Sequence, residues 1–467
     1  MHRTVSNQFK ILKYFFSLFI IEAIILVSQI YNDLFLIKIL VNYLFLAGII
    51  PIVLQNIKGA KIDIFSPMVV FHGLYLIFFG IPALDLVFYK AELIRRDEHF
   101  YRLALLYIIA GLHFFQIGYF SDIGKIIIDK KRKITVHWSI KRIKIIVITI
   151  SLISILSFLL ILKLSGGASA YFLNIKNAMV ELTTGSSFLF MAVILSKIPL
   201  LIWFCYNLKY NRFPPIFFIF TIFVFLLHLS LGERGPFVFL IVSLFVCYHY
   251  VKKKVRPVLM FSVTLLLMIF LTFYLKYREL TGINDNLKKI ELEGTFFTAN
   301  LYNHFIANFD YLLRVKDIVK YVPEKVDYQY GKTFFNLMFK PIPSRIWSEK
   351  PESAAIIITR KIYPKVYVNK VTFVPSLIGE LYLNFHVIGI ITGMLLFGVI
   401  MKSFLVLLNN NHMNLNFIVF YATIVPAILG QIRGDFAIVS TWLIFNLVFL
   451  FIALKFITIK TISSNYA

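Results

Sequence analysis

The chain has 467 residues, of which 59% are hydrophobic and 15% are charged, a balance that excludes an ordinary soluble domain. The formal net charge of +25 would suit nucleic-acid binding, but most of the positive charge lies in short loops between apolar runs. Charge in that position sets membrane topology and contacts anionic lipid. We therefore expect membrane lipid as a partner and no nucleic acid.

Apolar runs of membrane-spanning length recur along the chain. A hydrocarbon core about 30 Å thick requires roughly 20 mostly apolar residues in a helix. About twelve runs meet this requirement, so the sequence predicts an all-α integral membrane protein. The predicted spans are approximately residues 14–31, 34–53, 65–84, 101–119, 143–162, 186–206, 214–231, 236–250, 257–275, 383–401, 414–432 and 436–457.

The positively charged loops predict the orientation, because Lys and Arg are enriched on the cytoplasmic side of membranes. A cytoplasmic N-terminus places every strong basic cluster on that side, namely residues 3–13, 58–61, 125–144, 209–212 and 252–256. The alternate loops are nearly neutral. An even number of spans returns the C-terminus to the cytoplasm, so we expect both termini there.

Residues 276–374 form a polar and charged interruption in this pattern. The predicted organisation is nine spans within 1–275, one large loop over 276–374 and three spans within 375–467. The orientation places the loop outside the cytoplasm. We expect chemistry at the membrane surface to take place in this water-exposed segment. Charged residues near the outer ends of the spans, which lie on the same side, are therefore the candidates for function.

Two predicted outer turns contain an Arg-Gly pair. The first spans residues 231–236 and presents Arg234, and the second spans 431–435 and presents Arg433. A guanidinium at the membrane face can bind a phosphate in a bidentate manner. The alternative is a structural role, in which the arginine extends to the interface or pairs with a neighbouring carboxylate.

A third cationic segment lies in the large loop, from Lys340 to Pro351. It carries Arg345 and Lys350 five residues apart. Its prolines restrict the backbone and lower the entropic cost of ordering a site. The segment therefore suits a diphosphate ligand, and the alternative is a solvated basic loop. Arg278, near the start of the loop, is an additional candidate.

Glu380 and Asn384 are four residues apart at the start of the tenth predicted span, so they share a helix face. A carboxylate that enters an apolar segment is costly unless it is paired. Two roles remain open for Glu380, a structural partner of an arginine and a base that accepts a proton, and Glu380 is the preferred candidate for the base or the acceptor-orienting group. In the second case Asn384 orients the acceptor.

His304, in the large loop, is the competing base, because an imidazole titrates near working pH. Histidines inside apolar spans are expected to be hydrogen-bonded core residues instead. These are His72, His113 and His228. No Ser-His-Asp or Cys-His arrangement can be assigned from spacing.

The sequence predicts neither a metal site nor a disulfide. The two cysteines, Cys205 and Cys247, lie within predicted spans near their cytoplasmic ends. The chain has no Asp-x-Asp motif that would suggest a metal-bound nucleotide sugar, and we interpret Glu291 and Glu293 as an exposed pair. No cofactor is expected.

In their order along the chain, these segments resemble the oligosaccharide repeat unit polymerases of bacteria, the Wzy-type O-antigen and capsule polymerases. The resemblance rests on the Gly-Glu-Arg-Gly turn at 232–235, the Pro-x-Arg-x-Trp-x-x-Lys-Pro stretch at 343–351, Gly-Glu-Leu-Tyr-Leu-Asn-Phe at 379–385 and the Arg-Gly turn at 433–434. It covers the topology of the whole chain, with the motifs mostly in the second half.

The resemblance implies a GT-C-like, metal-independent, inverting glycosyltransferase of the bacterial cytoplasmic (inner) membrane. Such an enzyme moves a growing glycan from undecaprenyl diphosphate to an incoming lipid-linked repeat unit at the outer face, where no nucleotide sugar is supplied. Arginines would stabilise the charge of the leaving group. The residues assigned to the diphosphate are Arg234, Arg345 and Arg433, with Lys350 and Arg278 as additions. A chain-length regulator is a candidate partner.

Two other classes share parts of this pattern. An O-antigen ligase would have the same multi-span plan, diphosphate donor and outer loop, but the segment at 379–385 favours a polymerase. A flippase or transporter of lipid-linked oligosaccharide would be expected to carry charges at mid-membrane and internal repeats. In this chain the notable charges lie near one face.

Overall fold

The structure is a computed structural model that describes residues 34–57, 63–126, 136–173, 175, 187–280, 309–340, 342, 347, 349–368, 372–411 and 414–460. In chain order its elements are α1 (Leu34–Ile57), α2 (Pro67–Tyr75), a π-helical turn (Leu76–Gly80), α3 (Ile81–Tyr89), α4 (Ala91–Phe120), α5 (Ile123–Ile126), β1 (Val136–Trp138), α6 (Ile140–Leu164), α7 (Ala168–Leu173), α8 (Lys197–Tyr210), α9 (Pro215–Ser230), α10 (Arg234–Val251), α11 (Pro257–Leu280), α12 (Tyr311–Tyr321), α13 (Lys332–Phe339), α14 (Ala354–Ile362), α15 (Pro364–Val368), α16 (Leu377–Asn411), α17 (Leu415–Arg433), α18 (Phe436–Ile457) and β2 (Thr458–Lys460).

Nine helical segments in the described part of the chain are long and apolar enough to cross a membrane, and each overlaps a predicted span. The predicted spans at 214–231 and 257–275 correspond to shorter apolar helices, Pro215–Ser230 and Pro257–Leu267. The predicted first span, 14–31, lies outside the described residues. The protein is therefore an all-α integral membrane protein, and the total of about twelve spans stays a prediction.

The helices form two compact units. Unit 1 comprises the described residues within Met1–Lys130, Phe305–Leu407 and Ile428–Thr441, and unit 2 comprises those within Lys131–His304, Leu408–Ala427 and Trp442–Ala467. Long helices such as α16 contribute to both. The predicted division at 276 and 374 concerns the sides of the membrane and stays a prediction.

The core of unit 1 is built on helices α1, α2 and α4. On α1, fully buried residues recur every four positions, which places them on one face of the helix: Leu36, Leu40 and Leu44. The opposite face of α1 exposes large apolar side chains, including Phe35 and Leu46. In a membrane this second face contacts lipid.

The loop helix α12 is anchored to α4 by a charged cluster. The Lys316 ammonium lies 2.9 Å from the Asp97 carboxylate and 2.6 Å from that of Asp317, and Lys320 also pairs with Asp97. Burial disfavours the Lys316 ammonium, but the hydrogen bonds and charges of Asp317 and Asp97 outweigh this effect and raise its pKa. The cluster joins the segment after residue 308 to the membrane helices.

Helices α4 and α16 touch backbone to backbone at two glycines. A Cβ on Gly118 would lie 2.0 Å from the Leu395 carbonyl oxygen, and one on Gly398 would lie 2.1 Å from that of Phe115. Small residues allow such close approach between membrane helices. Any side chain at either position would force the two helices apart.

Unit 2 is held by serine hydroxyls that bridge helices. Ser154 of α6 donates to the Ala192 carbonyl at 2.9 Å, and Ser243 of α10 donates to the Ala422 carbonyl at 2.7 Å. Strands β1 and β2 pair antiparallel, with His137 opposite Ile459. In lipid the two serine bonds satisfy hydroxyl groups that have no access to water.

The histidines inside the spans are buried and hydrogen-bonded, as predicted. His72 contacts the Met68 carbonyl at 2.9 Å, His113 the Tyr43 hydroxyl at 2.9 Å and His228 the Ser196 hydroxyl at 3.1 Å. Their contacts account for them as core residues. The two cysteines are free and buried.

Candidate functional site

The candidate site in unit 1 is built around the first two turns of α16. Ser376 precedes the helix, and its hydroxyl accepts the Gly379 amide at 3.1 Å. This cap satisfies an amide that the helix itself leaves unpaired. The Glu380 side chain, one residue further on, is only 1% exposed.

Both oxygens of the Glu380 carboxylate accept hydrogen bonds from other segments. Oε1 accepts the Thr333 hydroxyl of α13 at 2.9 Å, and Oε2 accepts the Phe436 backbone amide of α18 at 2.8 Å. A buried carboxylate is tolerated when its lone pairs are satisfied in this way. Glu380 therefore joins α13 and α18 to the start of α16.

Asn384 completes the network on the same helix face. Its amide nitrogen donates to the Thr333 hydroxyl at 2.7 Å and to the Glu380 carbonyl at 2.8 Å, while its oxygen accepts the Gly331 amide at 2.9 Å. The prediction that Glu380 and Asn384 share a face is confirmed. Because every partner is buried, the network fixes the relative positions of the segments that it joins.

The turn between α17 and α18 packs directly on Ser376. A Cβ on Gly434 would lie 2.5 Å from the Ser376 nitrogen, and Gly434 has φ +97°, a conformation that favours glycine. The Asp435 carboxylate accepts the Ile438 amide at 3.2 Å and the Ala355 amide of α14 at 3.1 Å. The turn is thus fixed at Gly434 by its packing on Ser376 and at Asp435 by two backbone amides.

This fixed turn presents Arg433. The Arg433 Nε donates to the Tyr311 hydroxyl at 2.8 Å, while the side chain is exposed. Within the described part of the chain no carboxylate forms an ion pair with it. Its two terminal nitrogens therefore remain able to form charge-assisted hydrogen bonds with an anion.

One lysine of the cationic loop segment, Lys340, interacts electrostatically with this turn. The pKa of the Lys340 ammonium is lowered, mainly by burial. The Asp435 carboxylate acts against this effect, and the Lys350 charge adds to it. Lys340 therefore lies within electrostatic range of both groups. Lys350 donates to the Ile342 carbonyl at 2.6 Å and lines a cavity of about 440 Å³.

Helix α16 is broken immediately after this network. Phe385 has φ −140° and His386 has φ +57° with ψ −149°, a combination that is almost confined to glycine. The Leu383 and Asn384 carbonyls instead accept the Gln329 and Tyr330 amides, at 3.0 and 3.1 Å. The loop before α13 thus satisfies carbonyls that a regular helix would bond to residues four positions on.

The break exposes the His386 imidazole beside two tyrosines. Its ring centroid is 4.9 Å from that of Tyr382 and 5.7 Å from that of Tyr328, with the Tyr328 ring nearly perpendicular to it. Tyr382 is in turn stacked on Tyr107 at 5.5 Å. An exposed, titratable ring is thereby placed two residues beyond Asn384 in a strained backbone.

The structure places the predicted site residues as follows: Glu380, Asn384, Lys350 and Arg433 in unit 1, Arg234 as the first residue of α10 in unit 2, and Arg278 within α11 with its side chain outside the described residues. Arg345 and His304 lie outside the described residues. Glu380, Asn384 and the Arg433 turn are brought together. The roles of all these residues stay predictions.

Sequence reasoning missed Thr333, Tyr311 and His386. Thr333 has only the preceding Gly331, a turn residue with φ +87°, to signal a helix start. The Tyr311 side chain meets Arg433 across 122 positions, a separation that leaves no local pattern. His386 lies inside an apolar run that reads as one continuous helix. In the described residues no cluster of three His, Cys, Asp or Glu side chains could hold a metal ion.

Comparison with known proteins identifies the family. Searches of curated proteins and of solved structures found no match. The family model described as O-antigen polysaccharide polymerase Wzy matches residues 9–463, nearly the whole chain. The multi-pass helical architecture agrees with that match, and the chain belongs to the O-antigen polysaccharide polymerase Wzy family.

Proposed function

We propose that this polymerase extends a surface polysaccharide by moving the growing glycan from undecaprenyl diphosphate onto the terminal sugar of an incoming lipid-linked repeat unit. The acceptor hydroxyl attacks the anomeric carbon of the donor, the bond to the diphosphate oxygen breaks, and undecaprenyl diphosphate leaves. Attack from the opposite side inverts the anomeric centre. The observation that carries this proposal is the fixed turn that presents the exposed Arg433.

The leaving diphosphate gains negative charge as its bond breaks. Preorganised cations stabilise such charge without a reorganisation cost, which suits a metal-independent reaction. Arg433 is held at Nε by Tyr311, so its two terminal nitrogens are already oriented. The proposed diphosphate ligands are Arg433, Arg234 and Arg345, with Lys350 and Arg278 as additional cations.

Glu380 acts on this turn in the proposal, because both its oxygens are engaged by Thr333 and Phe436. It is a positioning residue for Arg433, and Asn384 holds the same network. The acceptor proton then needs another base. His304 is the candidate from sequence, and His386 is the candidate from the structure, since its imidazole is exposed.

Helix α4 supports the proposed membrane orientation. It has 30 residues with a kink at Asp97, and the part after the kink is about 35 Å long, enough to cross a bilayer. Asp97, near its start, pairs with Lys316 of the large loop, whereas the Ser121 end leads to the basic segment at 125–144. The loop and that basic segment therefore belong to opposite ends of α4, as expected if the loop faces outward and both termini face the cytoplasm.

Two experiments test the proposal. Deletion of the gene should leave surface glycan with a single repeat unit on gels; complete loss of attached glycan would indicate a ligase or a flippase instead. A cysteine introduced at Ser348 should react with an impermeant thiol reagent from outside the cytoplasm. The native thiols are buried and give little background. Labelling from the cytoplasm alone would contradict the proposed orientation.

A further inference from the structure

Unit 1 contains a cavity of about 440 Å³ beside the candidate site, and most of its lining is charged. We call it the lysine cavity after its cations, which are Lys325, Lys332, Lys350, Arg360 and Lys361. Its carboxylates are Asp327, Glu349 and Glu352. Its volume falls within the roughly 300–1,000 Å³ of small-molecule sites, so it can accept a sugar unit.

Not all of these cations are available to a ligand. Arg360 is engaged by Glu352 through two parallel hydrogen bonds, one of 2.7 Å and a shorter one. Lys325 lies over the Tyr321 ring, with its nitrogen 4.1 Å from the ring centroid. Both groups are therefore satisfied within the protein.

The remaining cations are free to bind an anion. Lys332 and Lys361 are exposed and form no ion pair with any residue that the structure describes. Lys350 is half-buried and uses one donor on the Ile342 carbonyl, which leaves further donors of its ammonium. Ammonium groups act as point charges without the planar geometry of a guanidinium, so they suit a ligand whose anionic group varies in position.

The same cavity presents acceptors for hydroxyl groups. Asp327 and Glu349 are exposed and form no ion pair within the described residues. A carboxylate accepts hydrogen bonds from sugar hydroxyls but repels a multiply charged diphosphate. A ligand with many hydroxyls and one negative group matches both sets of side chains, whereas a bare diphosphate matches only the lysines.

The cavity is joined to the candidate site through short stretches of backbone. Gln329, part of its lining, donates its amide to the Leu383 carbonyl at 3.0 Å. Lys332 directly precedes Thr333, which binds Glu380. A sugar chain held in the cavity therefore lies against the segments that position the Arg433 turn.

We propose that the lysine cavity binds an acidic sugar of the repeat unit, so that the substrate class of this polymerase is a glycan carrying carboxylate groups. The inference rests on the proposed function, because it assigns the cavity to the same glycan substrate. The carboxylate pairs with Lys332 and Lys361, and neighbouring hydroxyls donate to Asp327 and Glu349.

Binding to the purified full-length protein in detergent tests the proposal. The probes are a tetrasaccharide of glucuronic acid and N-acetylglucosamine, the same tetrasaccharide with its carboxyl groups reduced to alcohols, and inorganic diphosphate. Calorimetry should show the acidic tetrasaccharide binding at least about tenfold more tightly than the reduced one, with affinity falling as salt is added.

Matched variants localise the binding. Lys332→Gln with Lys361→Gln should weaken the acidic tetrasaccharide about tenfold or more, and the corresponding double arginine variant should restore it. Lys253→Gln with Lys254→Gln removes two exposed lysines from another loop and should leave affinity unchanged. Thermal melts confirm that each variant is folded.

Three results would overturn the proposal: equal binding of the acidic and reduced tetrasaccharides, no effect of the Lys332 and Lys361 changes, or no binding to the wild type. Inorganic diphosphate is also tested as a competitor of the tetrasaccharide. If it displaces the tetrasaccharide from the wild type but not from the Lys332 and Lys361 double variant, the cavity is a diphosphate site, and this result also overturns the proposal. A protein that forms glycan ladders in cells without binding the acidic probe keeps the proposed function and loses only this inference.

Discussion

The Glu380 carboxylate accepts the backbone amide of Phe436 at 2.8 Å, across 56 positions of sequence. This bond ties the start of α16 to the first residue of α18, immediately after the turn that carries Arg433. A single buried side chain thereby fixes where a cation is presented at the end of two membrane helices. Its replacement distinguishes a positioning role from direct proton transfer.

Glu380→Gln should reduce the polymerisation rate by less than about tenfold, because the amide oxygen can accept from Phe436 and its nitrogen can donate to Thr333. Glu380→Ala removes both acceptors, leaves the Phe436 amide and the Thr333 hydroxyl proton without an acceptor and should abolish the activity. The rate is measured on purified lipid-linked repeat units. If the Gln variant folds normally yet loses about 10²–10⁴-fold, Glu380 is the base itself.

Arg433→Ala should lower the polymerisation rate by about 10²–10³-fold, the usual cost of losing one donor to developing charge. Arg433→Lys should recover part of the rate, since it keeps the charge but not the planar pair of donors. Tyr311→Phe should have a smaller effect, because it only frees Nε. Arg212→Ala, at an exposed arginine in a predicted cytoplasmic loop, is the control and should be silent. An active Arg433→Ala variant would remove Arg433 from the diphosphate site.

Gly434→Ala should destabilise the protein by about 2 kcal/mol or more, since the new Cβ meets the Ser376 backbone and φ is unfavourable for alanine. Gly235→Ala is the matched control in the other Arg-Gly turn, where a Cβ would meet nothing within 4 Å. It should be neutral or slightly stabilising. Thermal unfolding in detergent compares the two. Equal melting temperatures for both variants would show that the turn does not pack on Ser376 as described.

His386→Gly should leave the free energy of unfolding within about 1 kcal/mol of wild type. Glycine relieves about 1–3 kcal/mol of backbone strain, but it removes the ring contacts and makes the unfolded chain more flexible, and these effects offset each other. His386→Val should be clearly destabilising, because a β-branched residue resists positive φ. If His386 is the base, the Gly variant loses about 10²–10⁴-fold in rate while remaining folded. If the His386→Gly variant keeps its activity and the His304→Ala variant gives a collapsed glycan ladder, the base is His304.

Lys316→Met should cost about 3 kcal/mol, since it leaves a largely buried carboxylate cluster short of a cation. The pKa of Lys316 is raised in the fold, so its contribution is fully present below its unfolded pKa of about 10.4 and declines as pH rises further. The difference in melting temperature from wild type should therefore be constant near neutral pH and shrink in strong alkali. Lys125→Met, at an exposed pair with Asp122, should cost less than about 1 kcal/mol at any pH. A similar cost for both variants would contradict the anchoring role.

The membrane helices could be predicted from sequence because each apolar run carries its own signal. The predictions at 414–432 and 436–457 correspond to the helices Leu415–Arg433 and Phe436–Ile457. Such runs reflect a local requirement, the satisfaction of backbone polar groups inside lipid. The local sequence of each run is therefore enough to predict the helix.

The candidate site could be predicted only in part. Glu380 was selected because a carboxylate in an apolar run is unusual, and this signal is local. Its partner Thr333 is 47 positions away and has no distinguishing pattern. The break at His386 depends on the Gln329 and Tyr330 amides, so it is decided by tertiary contacts and cannot be found within the apolar run itself.

The close approach of α4 and α16 at Gly118 and Gly398 constrains how this enzyme can turn over. Helices in direct main-chain contact have no side-chain layer to shear, so α4 and α16 move as one piece near these glycines. A polymerase must admit a repeat unit and accommodate a longer product in every cycle. Any movement that this requires must therefore come from elements that pack on α4 and α16 through side chains. A larger residue at either glycine would separate the two helices and impair activity without touching the reacting groups.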